Sequence, residues 1–219
     1  MRPYHLLILL TVLSLSPAAG CTLLSPRPDP SKFYVLTATA VSQTTIPAAT
    51  TPSRLGIGLG PVNLPDYLEH LEVVTRVAPN RVELSPVDRW AEPLDDSFRR
   101  VLARNLAMLL GTDQVVPFPW YASTRLDYKI ELTVERFERD GAGGTLLAAH
   151  WVIRDGRSDR LLIARQSNFA QSVGAQTGAG GGEMERAAAA LSADLGDLSK
   201  QIAGAVTELN QSQNRQATK

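Results

Sequence analysis

Leu126-Asp-Tyr-Lys-Ile-Glu-Leu-Thr-Val-Glu135 alternates without a break. Leu126, Tyr128, Ile130, Leu132 and Val134 fall on one side, and Asp127, Lys129, Glu131, Thr133 and Glu135 on the other. Successive residues of a strand point to opposite faces, so this strand buries one face and wets the other. That pattern belongs to an antiparallel sheet covered on one side. The stretch that follows is punctuated in the same way. Asp140 to Gly144 is a glycine-rich turn, Leu146 to Ile153 a strand, Asp155-Gly156 a turn, and Leu161 to Ala170 a further strand.

Upstream, Leu71 to Ala78 alternates with Leu71, Val73, Thr75 and Val77 on one face. Pro79-Asn80 marks a turn, and Val82 and Leu84 continue in a second strand, which makes a hairpin. Pro65-Asp-Tyr-Leu68 is a turn or a short helical entry. Arg54 to Val62 is expected to be a strand in which Leu55, Ile57 and Leu59 alternate with Gly56, Gly58 and Gly60. A glycine run of this kind invites comparison with a phosphate loop. Here the Lys-Ser/Thr pair is missing and Pro61 blocks a following helix. Glycines on one face instead permit close approach of another backbone. Phe33 to Thr37 reads as the first strand, and Ala38 to Ser53, rich in Thr, Ala and Pro, as a loop.

Two helices are expected to cover the sheet. The first spans about 93–110. Pro93 suits the first helical position, and Asp95 and Asp96 lie in the first turn, where the helix dipole favours them. Phe98, Val101, Leu102, Leu106, Leu109 and Leu110 form the buried stripe, and Gly111 ends the helix. Arg99, Arg100 and Arg104 lie off the stripe, on a solvated face. After the small-residue segment Gly174 to Gly182, the second helix spans about 183–209. Met184, Ala188, Leu191, Leu195, Leu198, Ile202, Ala205 and Leu209 alternate steps of four and three. Such a seam either lies on the sheet of its own domain or also pairs with another subunit, which leaves a homo-oligomer open. Gly196 and Gly204 each cost about 1 kcal/mol against alanine, so close packing is expected at both. The expected fold is α+β, a mixed, mostly antiparallel sheet with two main helices packed on it.

The chain has 219 residues, 44% of them hydrophobic and 20% charged, which is globular composition. With 22 basic and 22 acidic residues, there is no overall pull toward nucleic acid. The single cysteine excludes an internal disulfide and any multi-cysteine metal site.

That cysteine closes a leader. Arg2 supplies the positive charge, Leu6 to Leu15 the apolar stretch, and Ala18-Ala-Gly20 the small residues before Cys21. The apolar stretch is shorter than the roughly 20 residues that span a bilayer. The end of the leader resembles a bacterial lipobox, with Ala18 where leucine is usual. A lipobox implies cleavage between Gly20 and Cys21 and acylation of the Cys21 thiol, with more than one chain for stable anchoring. The alternative is an ordinary secretory signal. Thr22 follows the cysteine, where aspartate retains enterobacterial lipoproteins in the inner membrane, so the outer membrane is expected. Pro26, Pro28 and Pro30 make Thr22 to Lys32 an extended tether, roughly 30 Å long. The layout is thus a leader over 1–20, a tether over 21–32, one domain over 33–209 and a polar, disordered tail over 210–219.

Catalytic patterns are missing from the sequence. It contains no HExxH, no GxSxG with a partner histidine, no EF-hand and no P-loop. His70 and His150 are isolated, and Glu131 and Glu135 read as the wet face of a strand. No enzyme, metal site or cofactor is expected.

Five segments in order carry a family resemblance. They are Phe33-Tyr-Val-Leu36; Gly58-Leu-Gly-Pro-Val62 with Leu64-Pro-Asp-Tyr-Leu68; Val74-Thr-Arg76; Asp88-Arg-Trp-Ala-Glu-Pro-Leu94 leading to Leu102-Ala-Arg-Asn-Leu106; and Phe137 with Ala149-His-Trp151. Together they resemble the PqiC/YmbA-like family, auxiliary lipoproteins of ABC-type transport systems. The resemblance implies a periplasm-facing, lipid-anchored protein of the outer membrane with an α+β fold and no catalytic residues. It also implies a partner, the MCE-domain protein that carries lipids between the membranes. Pro65, Tyr67, Trp90, Glu92 and Pro93 are its motif residues, with structural or partner-binding roles. Trp90 is expected to pack over the start of the first helix. Rival readings are a lipid-binding carrier, which needs a closed apolar cavity, and a cell-envelope enzyme, which needs convergent polar groups in a cleft.

Overall fold

The computed structural model describes residues 28–39, 54–121, 123–173 and 182–217. Cys21, Gly20 and the segment 1–20 expected to be a leader lie outside the described residues. Ser31–Lys219 forms one compact unit. Its elements are β1 (Lys32–Tyr34), β2 (Ile57–Asn63), a 3-10 turn (Asp66–Leu68), β3 (Glu72–Ala78), β4 (Arg81–Trp90), α1 (Leu94–Leu110), β5 (Val115–Pro117), β6 (Tyr128–Asp140), β7 (Gly144–Asp155), β8 (Leu161–Ser172) and α2 (Glu183–Ala217).

β6 is the spine of a single eight-stranded sheet. One of its edges pairs antiparallel with β7, which pairs antiparallel with β8. On the other branch the sheet forks. β2 lies parallel to the start of β6, with Ile57 opposite Tyr128, and carries β5 beyond it. β3 lies parallel to the end of β6, with Thr75 opposite Arg139, and carries β4 and then β1. The long ladders are the antiparallel ones, and the mixed α+β architecture is as expected from sequence.

Tyr128, Ile130, Leu132 and Val134 are buried as the alternation requires, and Leu147, Ala149, Trp151 and Ile153 continue the same face across β7. α2 packs on β6, β7 and β8, while α1 packs on β2, β5 and α2. Phe98 of α1 meets Phe137 of β6 edge-on, with ring centroids 5.1 Å apart. Between the helices, Asn105 donates to Ser199 Oγ at 3.1 Å. Trp151 Nε1 donates to Ser167 Oγ at 2.8 Å, and that hydroxyl donates to Gln201 of α2 at 2.5 Å. The opposite face carries cross-strand ion pairs, such as Arg154–Glu131 at 3.1 Å. No helix among the described residues is long and apolar enough to cross a membrane.

Several local expectations are corrected. Val73 and Val74 are both buried and Leu71 is exposed. The β3–β4 register shifts between Glu72 and Val74, which breaks strict alternation. β1 stops at Tyr34 rather than Thr37, because Thr37 N donates to Ser192 Oγ of α2 at 3.1 Å instead of to a ladder. β2 begins at Ile57 rather than Arg54. Pro93 is the N-cap residue of α1, one position earlier than expected, and Gly111 closes that helix at φ 61°. α2 runs to Ala217 through the polar segment expected to be a disordered tail. Gln213 holds it there by accepting from the Tyr128 hydroxyl at 3.1 Å. Gly196 is packed against Thr39, but nothing lies within 4 Å of a Cβ added at Gly204, so close packing explains only the first.

Candidate functional site

Two of the sequence motifs converge on one surface cleft of about 530 Å³. One wall is the end of β2 with the 3-10 turn, contributing Asn63, Leu64, Asp66 and Glu69. The other is the start of α1, contributing Pro93, Asp95 and Arg99. The turn forms because Pro65, held extended at ψ 143°, offers its carbonyl to Leu68 N at 2.9 Å. α1 starts where Pro93 offers its carbonyl to Ser97 N at 3.1 Å. Asp66, Glu69 and Asp95 make the cleft acidic, and Arg99 is already engaged by Asp95 at 2.9 Å and by Asp96.

The other motif residues do not line this cleft; they hold its walls. Trp90 is 3% exposed in the core, and its backbone N–H donates to Leu71 O at 2.6 Å. Glu92 forms an ion pair with Arg100 across the first turns of α1. Tyr67 points to a buried carboxylate, Glu138, whose side chain is fully enclosed. Arg76 Nε reaches Glu138 Oε1 at 2.6 Å and Arg136 Nε reaches it at 2.9 Å, while the Tyr67 hydroxyl donates to Oε2. Burial, and next the bond to that carboxylate, push the Tyr67 hydroxyl up to about 12. The Arg76 guanidinium also stacks 5.3 Å from the Tyr67 ring. A buried charge is tolerated only when paired and hydrogen-bonded, and this cluster meets both conditions where β3 joins β6. Tyr34 does comparable work at β1, donating to Asp88 Oδ1 at 3.1 Å.

Glu138 is not legible in the sequence. A register shift between Val134 and Arg136 brings both Phe137 and Glu138 inside, against the alternation. Asp194 on α2 is a second buried carboxylate that sequence reasoning misses. Its Oδ2 accepts from Thr145 Oγ1 at 2.6 Å, and its Oδ1 has no partner. Burial pushes its carboxyl up to about 6, with an opposing pull from the Thr145 hydroxyl and a smaller push from Asp197.

These groups do not assemble into a reaction centre. Glu138 and Asp194 are enclosed, not open to a substrate. His150 pairs with Glu135 at 2.9 Å on the wet face of the sheet, and His70 is exposed beside the 3-10 turn. Among the described residues no group of three or more His, Cys, Asp or Glu could hold a metal ion. The geometry offers an acidic surface cleft on a braced scaffold.

A family model described as "ABC-type transport auxiliary lipoprotein component" matches residues 34–203. A search of curated proteins gave no match. Among solved structures, a Xanthomonas campestris protein of the family designated DUF330 superposes with a TM-score of 0.62 at 17% identity, covering 84% of this chain and 99% of its own. A second, uncharacterised protein gives a TM-score of 0.62 at 19% identity over 80% of this chain and 98% of its own. At these identities the likeness is one of fold.

Proposed function

Because the chain belongs to the ABC-type transport auxiliary lipoprotein components, we propose that it is a non-enzymatic docking module of an intermembrane lipid transporter. In this reading Cys21 carries the lipid, the tether over 21–32 holds the domain on the periplasmic face of the outer membrane, and the domain receives the MCE-domain protein of the system. The supporting observation is the convergence of the Leu64–Leu68 and Pro93–Asp95 segments on one acidic cleft. A docking surface needs rigid walls more than reactive groups, and Glu138 and Trp90 supply that rigidity. Three clefts, of about 770, 760 and 530 Å³, each carry charged side chains in their lining, unlike an acyl-chain cavity, which favours docking over lipid carriage.

A photo-cross-linking residue at Glu69, exposed at the cleft, is expected to capture the MCE-domain protein in intact membranes. The same group at Ser172, exposed on β8, is expected not to. Capture from both positions or from neither would refute the cleft. Cys21→Ser is expected to release the protein from membranes into the soluble periplasmic fraction; retention would refute the anchor.

A further inference from the structure

At the start of β6 lies a second cleft, of about 770 Å³, with a different character. Arg54, Arg125 and Arg157 line it, with the hydroxyls of Ser123 and Thr124 and the amide of Gln114. Its one carboxylate is Asp127, and one oxygen of that group already accepts from Gly56 N at 2.8 Å. Most arginines elsewhere in the domain have acidic partners: Arg76, Arg99, Arg100, Arg139 and Arg154 are all paired. Arg54, Arg125 and Arg157 form no ion pair among the described residues and are exposed. In a chain with 22 basic and 22 acidic residues, this is a local excess of positive charge that the fold leaves uncompensated.

Exposed aromatic side chains lie on the segment that precedes its Ser123 in the chain. Phe118 is 52% exposed and Tyr121 is 83% exposed. Thr124 N donates to Tyr121 O at 2.9 Å, so a tight turn sets Tyr121 next to the cleft's hydroxyls. The aromatic segment is held firmly. Phe118 N donates to Leu59 O at 2.8 Å, and its ring meets Trp120 edge-on with centroids 5.1 Å apart. Gly60, at φ 123°, leaves room for it: a Cβ there would sit 2.6 Å from Phe118 Cβ. The cleft floor is equally fixed, since Gly56 lies against the Arg125 carbonyl and Gly156 against the Leu126 carbonyl. Exposed rings on a fixed strand edge, in the segment that leads to a cleft of guanidinium groups without ion-pair partners, match a lipid–water boundary. Aromatic rings settle at headgroup depth, and guanidinium groups bind phosphate oxygens in pairs.

We infer that the Arg54–Arg125–Arg157 cleft and the Phe118–Tyr121 segment form a binding surface for anionic phospholipid headgroups, separate from the acidic cleft and from any acyl anchor. A basic side chain near an anionic bilayer contributes about fivefold to partitioning, so three should contribute well over tenfold together.

The test uses residues 21–219 with Cys21→Ala, which removes the leader and any acyl chain but keeps the whole compact unit. Co-sedimentation is measured with vesicles of phosphatidylcholine alone and with vesicles in which about one lipid in three is phosphatidylglycerol. Binding is expected only with phosphatidylglycerol, and it should weaken as salt rises. Arg54→Gln, Arg125→Gln and Arg157→Gln combined should lower it by more than about tenfold. Three exposed arginines elsewhere, Arg81, Arg104 and Arg215, changed together to glutamine should leave it nearly unchanged. Phe118→Ser with Tyr121→Ser should also weaken it, with melting curves confirming that each variant folds. Equal losses from both arginine triples would show general charge attraction and overturn the proposal. So would the absence of any phosphatidylglycerol dependence, or full competition by millimolar inorganic phosphate at matched ionic strength, which would assign the cleft to a soluble anion. Retention on an acidic protein but on no vesicle would overturn it as well.

Discussion

Replacing Asp194 by asparagine isolates the energetic consequence of one buried charge. In the folded chain its carboxyl is pushed up to about 6 from an ordinary 3.8, because burial disfavours the anion and one of its oxygens has no partner. Its folded value lies above its unfolded value, so the folded state holds the proton more tightly. The contribution of this group to stability is therefore most favourable at low pH, falls as pH rises from about 4 to about 6, and stays reduced above that. The full penalty is about 3 kcal/mol, taking 1.36 kcal/mol per pH unit over the gap between the two values. About 2 kcal/mol of it develops between pH 4.5 and 7.5. The amide introduced by Asp194→Asn cannot ionise and still accepts from Thr145 Oγ1, so the substitution should abolish this component. Urea unfolding of both proteins at the two pH values gives the answer as a difference of differences, which cancels the other titrating groups. The variant should gain about 2 kcal/mol on the parent between about pH 4.5 and pH 7.5. A difference below about 0.5 kcal/mol would refute the reasoning, because the carboxylate must then be solvated or paired in the folded protein.

Two further predictions concern packing. Glu138→Ala leaves Arg76 and Arg136 without their shared acceptor and removes the Tyr67 contact, so unfolding free energy should drop by about 3 kcal/mol. Tyr67→Phe, which keeps the ion pairs, should cost only about 1 kcal/mol by the same urea assay. In α2, Gly204→Ala meets nothing within 4 Å and should stabilise by about 1 kcal/mol. Gly196→Ala drives a methyl group into Thr39, whose hydroxyl donates to Ser192 O at 3.1 Å, and should destabilise by about 1 kcal/mol or more. Thermal melts of the pair should shift in opposite directions.

Wherever one local pattern controls burial, the sequence can be read correctly. The alternation from Leu126 locates β6, the apolar stripe from Phe98 locates α1, and the seam from Met184 locates α2. Reading fails where a register shift inserts a step, as at Val74 and again after Val134, because a single extra residue swaps the faces of everything beyond it. It fails at the end of α2 because polar composition says nothing of the Tyr128 hydroxyl that Gln213 meets there. The motif segments are visible, but not the division of labour among them. Nothing near Tyr67 in sequence marks Glu138 as its partner. Arg54, Arg125 and Arg157 are far apart in the chain and become neighbours only when β2 lies beside β6 and the β7–β8 turn closes on Leu126.

The forked sheet also decides how the domain would bear load. Any pull on the chain ahead of Ser31 enters the folded unit at β1, which has three residues and a single neighbouring strand. Beyond the ladder to β4, that entry is reinforced by Tyr34 to Asp88, by Ala91 N to Tyr34 O at 2.9 Å, by the Thr37 and Thr39 bonds to Ser192, and by Leu36, which is buried in the core. The long ladders of β6, β7 and β8 lie behind β4 and β3, out of the direct line of traction. Under tension this joint would be loaded first, so the hold of the domain on the chain ahead of Ser31 runs through a three-residue strand and the buried Leu36 before it reaches the long ladders.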